Sequence, residues 1–453
     1  MRDAARLIVE PFPARYRVVA AGPGPAEEGD CVVAVEPDAV VVRPAVGAGA
    51  LRIAYRELAR TEAADFLLSL VLDGGERIEL FMLARRFDEA RRAIRDARRE
   101  HLLRALLALE HGAASTETGI YRRRGPWPGG DAEGDCVVRQ QRTSFAVLAD
   151  SERPFVVPYG ELLRSTFDPG EYALRLELDG GRELHLLRFG KRTDALRREL
   201  DTLHGELAAR NLRALGALVP GAGAMALRRL GAVLRDGIPA SRADVEAACP
   251  GAWAEIVARS FAAGMRREAA EHLAGRAKAA FLFVKEVSLP GEAHDEAEPP
   301  PAPVRSQAGG GEGPGSRSEG AQDEEPAEAS EATLPPEVEG RHLAFLFAVE
   351  SALVLEIPSA LGAATYVFRA GADPAARSRE LARGLAAVQF RREPIFASDA
   401  DLAVGRLARY AEAAALVPEL RALRSAYVGR AVHAKLESWR MRVDETISGA
   451  AKG

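Results

Sequence analysis

The stretch Glu28-Gly29-Asp30-Cys31-Val32-Val33 recurs unchanged as Glu133-Gly134-Asp135-Cys136-Val137-Val138, at an offset of 105 residues. Six identical residues in a row mark an internal repeat, and further matches keep nearly the same spacing. Tyr16 and Tyr121 share the offset of 105, Tyr55-Glu57-Leu58 matches Tyr159-Glu161-Leu162 at 104, and Leu72-Asp73-Gly74-Gly75 matches Leu178-Asp179-Gly180-Gly181 at 106. Drifts of one residue are what small loop insertions leave. The first half of the 453-residue chain is therefore two copies of one unit.

Within the first copy, Cys31 to Val35 and Ala39 to Arg43 are β-branched runs parted by Glu36-Pro37-Asp38, a turn cluster. Leu51, Ile53 and Tyr55 alternate, and Phe66 to Leu72 leads through Asp73-Gly74 into Arg77 to Phe81, a hairpin signal. The period then changes: Phe87, Ala90, Ile94 and Ala97 fall at helical spacing, with Arg91, Arg92, Arg95, Asp96, Arg98 and Arg99 on a mixed, solvated face. The second copy repeats the plan, with Leu184 and Leu186 in its last strand and Leu196, Leu200, Leu203 and Leu207 along its helix.

About seven antiparallel strands closed by one amphipathic helix, with Tyr-x-Glu-Leu before an Asp-Gly hairpin, resemble the pleckstrin-homology-like family, including its GRAM-type members. The resemblance spans about residues 5 to 112 and 116 to 213. It implies small β-barrels that bind peptides, partner domains or, in some members, phosphoinositides. Lipid-binding members carry a basic cluster around the turn between strands one and two. Here Glu36-Pro37-Asp38 and Gln141-Arg142-Thr143 are taken to occupy that turn, which argues against lipid.

From Ala214 to Lys278 the chain is rich in Ala, Leu and Arg, with breakers at Gly216, Pro220, Gly237, Pro239, Pro250 and Gly251, so three or four short helices are expected. Ser241 before Ala243-Asp244-Val245-Glu246 has the form of a helix N-cap, and Trp253, Ile256, Val257 and Phe261 form a core stripe. Residues 291–340 hold 13 acidic residues against Arg305 and Arg317, with eight prolines, a composition that predicts a disordered linker. Strand candidates flank it, Ala280 to Val284 and Ala344 to Ala348, which makes it an excursion within one C-terminal domain. A hairpin is expected from Ala352 to Arg369, a helix opening at Asp373-Pro374, and further helices from Ser398 to Ile447, one starting at Pro418.

The expected fold class is thus α+β and multidomain: two pleckstrin-homology-like antiparallel β-barrels (1–112 and 116–213), a helical module (214–278), and an α+β C-terminal domain (279–290 and 341–453) interrupted by the linker. The formal net charge of −5 is the sum of −11 in residues 291–340 and +6 elsewhere, so the folded body is mildly basic. Of 61 basic residues only five are lysine, an arginine bias spread over every segment. Cys31, Cys136 and Cys249 are too few and too far apart for a disulfide framework or a CxxC site, which fits a reducing cytoplasm. No secretory signal or membrane span is legible.

The chemistry-bearing motifs mostly fail. Gly190-Lys191-Arg192-Thr193 is no P-loop, and Gly221 to Ala226 has the letters of a dinucleotide fingerprint without its strand. The eight histidines show no zinc-binding spacing, so no metal or cofactor is expected. Arg122-Arg123-Arg124 before Pro126-Trp127-Pro128 puts cations beside an aromatic in what reads as the loop joining the repeats, the pairing that holds single-stranded nucleic acid, yet the surrounding charge is mixed. Those residues, Arg122, Arg123, Arg124 and Trp127, together with Arg139 and Arg142, are the candidate contacts for a partner or an anion. The reading favoured is a cytoplasmic, non-enzymatic interaction or scaffold protein that binds a protein partner through its tandem domains. The alternatives are anionic-lipid or nucleic-acid binding through the arginine-rich repeats, or an enzyme with a site around Arg391, Arg392, Glu393, His433 and Glu437, the last two forming an acid and base pair four residues apart.

Overall fold

The computed structural model describes residues 9–20, 27–47, 49–105, 115–150, 152–261, 264–287, 338, 340–358, 364–433 and 435–450. It is an α+β protein with three antiparallel sheets and twelve α-helices among the described residues. The first copy contributes β1 (Val9–Val19), β2 (Glu27–Val35), β3 (Ala39–Pro44), β4 (Leu51–Ala54), β5 (Leu58–Ala64), β6 (Leu67–Leu72), β7 (Arg77–Phe81) and α1 (Phe87–Ala105). The second contributes β8 (Ser115–Arg124), β9 (Ala132–Gln140), β10 (Ser144–Ala149), β11 (Phe155–Pro158), β12 (Leu162–Asp168), β13 (Ala173–Leu178), β14 (Arg182–Leu187) and α2 (Thr193–Leu218). The strand orders β4-β3-β2-β1-β7-β6-β5 and β11-β10-β9-β8-β14-β13-β12 are the same topology twice.

Each sheet folds over one apolar core. In the first, Val33, Val40 and Ile53 from one half meet Leu68, Leu70 and Leu80 from the other, and α1 adds Ala90 and Ile94. That is a β-sandwich closed by its helix, with alternate strand residues turned inward. The repeated motifs have visible work. Tyr16 sits across the β1–β2 pair from Gly29, where its ring lies 3.5 Å from the position a Cβ would take, and Tyr121 holds the same register against Gly134. Cys31 and Cys136 are buried in the two cores, and burial raises their thiols to about 11 and about 12. The Tyr-x-Glu-Leu and Asp-Gly motifs touch: the Asp73 amide donates to the Glu57 carbonyl at 2.9 Å and the Asp179 amide to the Glu161 carbonyl at 2.8 Å.

The expected turns shift by one strand. A strand precedes Cys31 and Cys136 in each copy, so Glu36-Pro37-Asp38 and Gln141-Arg142-Thr143 turn between the second and third strands. Arg122 to Arg124 end β8, and Trp127 lies in the first hairpin of copy two instead of a loop between the repeats.

The closing helices overshoot their own sandwiches. Beyond Ala97, α1 sends Leu103 against Val137, Ala146 and Leu148 on the outer face of copy two. Arg98 and Arg99, expected in solvent, are buried there: Arg98 is 2% exposed, its Nη2 donates to the carbonyls of Leu58, Ala59 and Glu152, and Arg99 reaches Asp150 at 2.5 Å. Likewise α2 fills copy two with Leu196, Leu200 and Leu207, then carries Ala214, Leu215 and Leu218 into the next core.

That core belongs to the remainder of the chain. Four helices follow, α3 (Ala224–Val233), α4 (Arg242–Ala248), α5 (Ala252–Ser260) and α6 (Met265–Arg276), as many as the breakers implied, and Ser241 caps α4 by accepting from the Asp244 amide at 3.1 Å. A six-stranded sheet runs in sequence order through β15 (Ala240–Ser241), β16 (Ala279–Glu286), β17 (Arg341–Val349), β18 (Ala352–Glu356), β19 (Ala364–Arg369) and β20 (Tyr427–Val432). One face packs on α3–α6 and α12 (Leu436–Ala450). The other packs on α7 (Pro374–Ala387), α8 (Glu393–Phe396), α9 (Asp399–Leu402), α10 (Ala408–Leu416) and α11 (Pro418–Ala426). Both faces are covered, which is why these strands are almost wholly apolar instead of alternating. Asp373 caps α7, and Pro374 and Pro418 open their helices. The flanks of the acidic segment pair directly, Phe281 with Leu346 and Glu286 with Arg341. The segment itself, apart from Val338 and Gly340, lies outside the described residues, and with it the expectation of disorder. Among the described residues no helix is long and apolar enough to cross a membrane.

Candidate functional site

The six candidate contact residues do not form one open surface. Arg122 lies 2.6 Å from Glu133 and 3.5 Å from Glu171, Arg123 2.8 Å from Glu152, and Arg124 3.6 Å from Asp131. Alternating strand geometry sends Arg123 inward, where it is buried over the Phe155 ring. Trp127 is buried too: its Nε1 donates to the carbonyls of Arg124 and Glu183, both at 3.1 Å, with Phe155 and the Arg182 guanidinium on its ring. Its ring is spent within the sandwich and presents no platform for a base. Arg139 bridges to Glu100 of α1 at 2.8 Å, and Arg142 reaches Glu286 of the third sheet at 2.8 Å. These two therefore tie copy two to the units on either side.

The alternative set in the C-terminal half is divided by the sheet. His433, Glu356 and Thr365 face α12, whereas Arg391 and Arg392 in the α7–α8 connection and Glu393 at the start of α8 lie on the opposite face. Glu437 is exposed on α12 and is not the carboxylate beside His433. That carboxylate is Glu356, 3.4 Å from His433 Nε2, brought near by strand pairing that four-residue helical spacing does not anticipate. The Thr365 hydroxyl donates to Glu356 and accepts from Trp439 Nε1 at 2.7 Å, and His433 Nε2 is 2.9 Å away. Threonine, histidine and glutamate in contact have the components of a nucleophile and its base. Thr365 is fully buried, however, and its oxygen is occupied on every side by protein groups.

The densest polar site among the described residues lies where α2, the α3–β15 turn and the third sheet meet, and sequence reasoning did not find it. Asp236 accepts from Lys285 Nζ at 2.5 Å and from the Glu286 amide at 2.7 Å, with Arg341 Nη1 at 3.5 Å. Glu286 in turn holds Arg341 at 2.6 Å, Arg210 at 3.0 Å and Arg142 at 2.8 Å. Burial alone would raise the Glu286 carboxyl, but the Arg210 hydrogen bond and the nearby guanidiniums hold it below its usual range. Burial lowers Arg341, against the pull of Asp236 and Glu286. Next to this cluster, Glu161 of copy two is buried between Arg182 and Arg383 of α7, the latter at 2.6 Å, and Asp179 takes Arg235 at 3.0 Å and Arg379 at 3.6 Å. One signal was present in sequence: Lys285-Glu286 interrupts an apolar strand in a chain with only five lysines. A lysine and an acid placed there must find partners when the strand is buried.

No family model matches the chain, and no curated protein matches it. Among solved structures, a chain of the Spt16D–Pob3N heterodimer aligns over 40% of this chain and 97% of its own, at 14% identity and a TM-score of 0.15.

Proposed function

We propose that the chain is a non-enzymatic, cytoplasmic interaction protein whose two N-terminal sandwiches are pleckstrin-homology-like domains, and that copy one docks a protein partner through an apolar tip. The domain division proposed is the one drawn from sequence: 1–112, 116–213, 214–278, and 279–290 with 341–453 around the linker. The repeated seven-strand order closed by a helix supports the family reading, and three buried, unpaired thiols support a reducing compartment.

One observation carries the docking surface. Phe66 and Met82 flank the same end of the β6–β7 hairpin, 72% and 69% exposed, and Phe66 meets the Phe87 ring edge-on at 5.6 Å. Both have left-handed backbones, φ 59° and 57°, which bulky residues adopt at a cost of roughly 1–3 kcal/mol each. Copy two keeps the strain, with Tyr172 at φ 50° and Arg188 at φ 59°, but a phenol, 45% exposed, stands for Phe66 and a guanidinium for Met82. The backbone geometry thus belongs to the repeat, and the wholly apolar pair to copy one. Burying two such side chains is worth roughly 1.5–3 kcal/mol each, enough to anchor a partner.

The test compares proteins retained by the full chain and by a Phe66→Ser/Met82→Ser variant with an unchanged melting profile. A partner bound by the first and weakened at least about tenfold with the second supports the reading. Identical retention by both overturns it, as does salt-sensitive co-sedimentation with anionic liposomes in place of a protein partner.

A further inference from the structure

A cavity of about 310 Å³ opens beside the Asp236 cluster, within the size range of small-molecule pockets. The Tyr159–Gly160 corner of copy two forms one end, and α2 and α3 form the walls. Two close approaches hold it in place. A Cβ on Gly160 would lie 1.8 Å from the Asp236 carbonyl oxygen, so that position requires glycine, and one on Gly231 would lie 2.9 Å from Leu212 Cδ1, the end of a side chain packed between the two helices. Where the helices diverge from these contacts the walls are lined by Leu207, Ala208, Leu212 and Ala232, too short to fill the space.

The charges around this apolar space are unbalanced. Asp236, its carboxylate, is already neutralised by Lys285, Arg341 and the Glu286 amide. Arg235 spends Nη2 on Asp179, while its Nη1 is buried with no hydrogen-bond partner. Arg228, at the exposed rim, has no carboxylate partner among the described residues. His204 and Asn211 also line it: the Asn211 amide nitrogen donates to the Leu234 carbonyl at 2.6 Å, and burial lowers the His204 pKa, favouring the uncharged imidazole. An apolar slot with two guanidiniums carrying uncommitted N–H groups fits a ligand of opposite pattern.

We infer that this cavity binds a small organic anion, a carboxylate with an apolar body, its charge on Arg228 and Arg235 and its body against α2 and α3. This goes beyond the docking reading and does not depend on it, because the cavity lies on copy two and the apolar tip on copy one. The site joins copy two to the helical segment that follows, so an occupant would bridge the two.

Isothermal titration of the full chain at pH 7.5 with 4-phenylbutyrate tests it, alongside the neutral 4-phenyl-1-butanol and inorganic phosphate. Saturable 1:1 binding of the carboxylate is expected, at least about tenfold tighter than of the alcohol or of phosphate. Arg228→Gln, a change at an exposed position that leaves the fold intact by circular dichroism, should weaken it by at least about tenfold. Ala232→Phe, which fills the slot, should abolish it, and Ala232→Ser should retain it, separating occlusion from misfolding. No saturable binding of the carboxylate, equal binding of the alcohol or of phosphate, or Arg228→Gln binding as tightly as wild type would each overturn the inference.

Discussion

Removing the Asp236 carboxylate strands a buried cation. Lys285 has Asp236 as its one carboxylate within 4 Å among the described residues, and its side chain is 10% exposed. Arg341, by contrast, keeps Glu286 at 2.6 Å. The loss in Asp236→Ala therefore falls mainly on Lys285, and leaving one member of a buried pair without its partner costs about 3–5 kcal/mol. Adding Lys285→Met removes the stranded charge while keeping an aliphatic stem over Gly237, where the Lys285 Cδ already packs. The orphaned Glu286 amide remains, so the double variant should sit about 1–2 kcal/mol below wild type, more stable than the single one. Urea unfolding at pH 7 followed by tryptophan emission reads this directly in a Trp127→Phe background. The two remaining indoles, Trp253 and Trp439, both lie in the core that the cluster adjoins. A single variant within about 1 kcal/mol of wild type, or a double variant no better than the single, would refute the assignment of this cluster as an interdependent buried network.

Two further predictions use the repeat and the histidines. Glu161→Ala should destabilise by about 3 kcal/mol because it strands Arg182 and Arg383, whereas Glu57→Ala, the same motif position in copy one, should change stability by less than about 0.5 kcal/mol; its side chain is 53% exposed and 3.8 Å from Arg56. Thermal melts of the two variants decide it, and equal effects would show that the motif glutamate acts within the repeat and not between units. His204 and His272 are both lowered, chiefly by burial, so the unfolded chain binds more protons than the native one just below about pH 6.5. Stability should be complete above that pH and decline as pH falls through it, and urea midpoints at pH 7.5 and 5.5 should differ less in His204→Gln than in wild type.

The duplicated unit was legible because its signals are local. Asp-Gly turns, alternating valines and a change to helical period at Phe87 all operate within a few residues, and the structure keeps each of them. The strand before Cys31 was missed because Val9–Val19 carries Pro11 and Pro13, residues that read as strand breakers but sit here next to the register irregularity between Val9 and Phe12. Misplacing that one strand moved Trp127 from a sandwich hairpin to a loop between the repeats. Arg98 and Arg99 were assigned to solvent because helical periodicity speaks only of a helix's own core, and their burial is imposed by copy two, a contact with no trace in local spacing. The partner of His433 was misjudged for the same reason: Glu356 is 77 residues away in sequence and two strand pairings away in space.

The overshooting helices have a consequence for how the chain comes into being. As the polypeptide is synthesised, the first sandwich can close over Ala90 and Ile94 while Leu102, Leu103 and Ala105 have nothing yet to cover them. The faces they need are built from Val137, Ala146 and Leu148, made later, and from Leu416, more than three hundred residues downstream. The second sandwich repeats the debt with Leu215 and Leu218. Each unit thus emerges with a sticky end that only its successor satisfies, and the boundary at which the sequence is most naturally cut is one across which the folded protein is sealed.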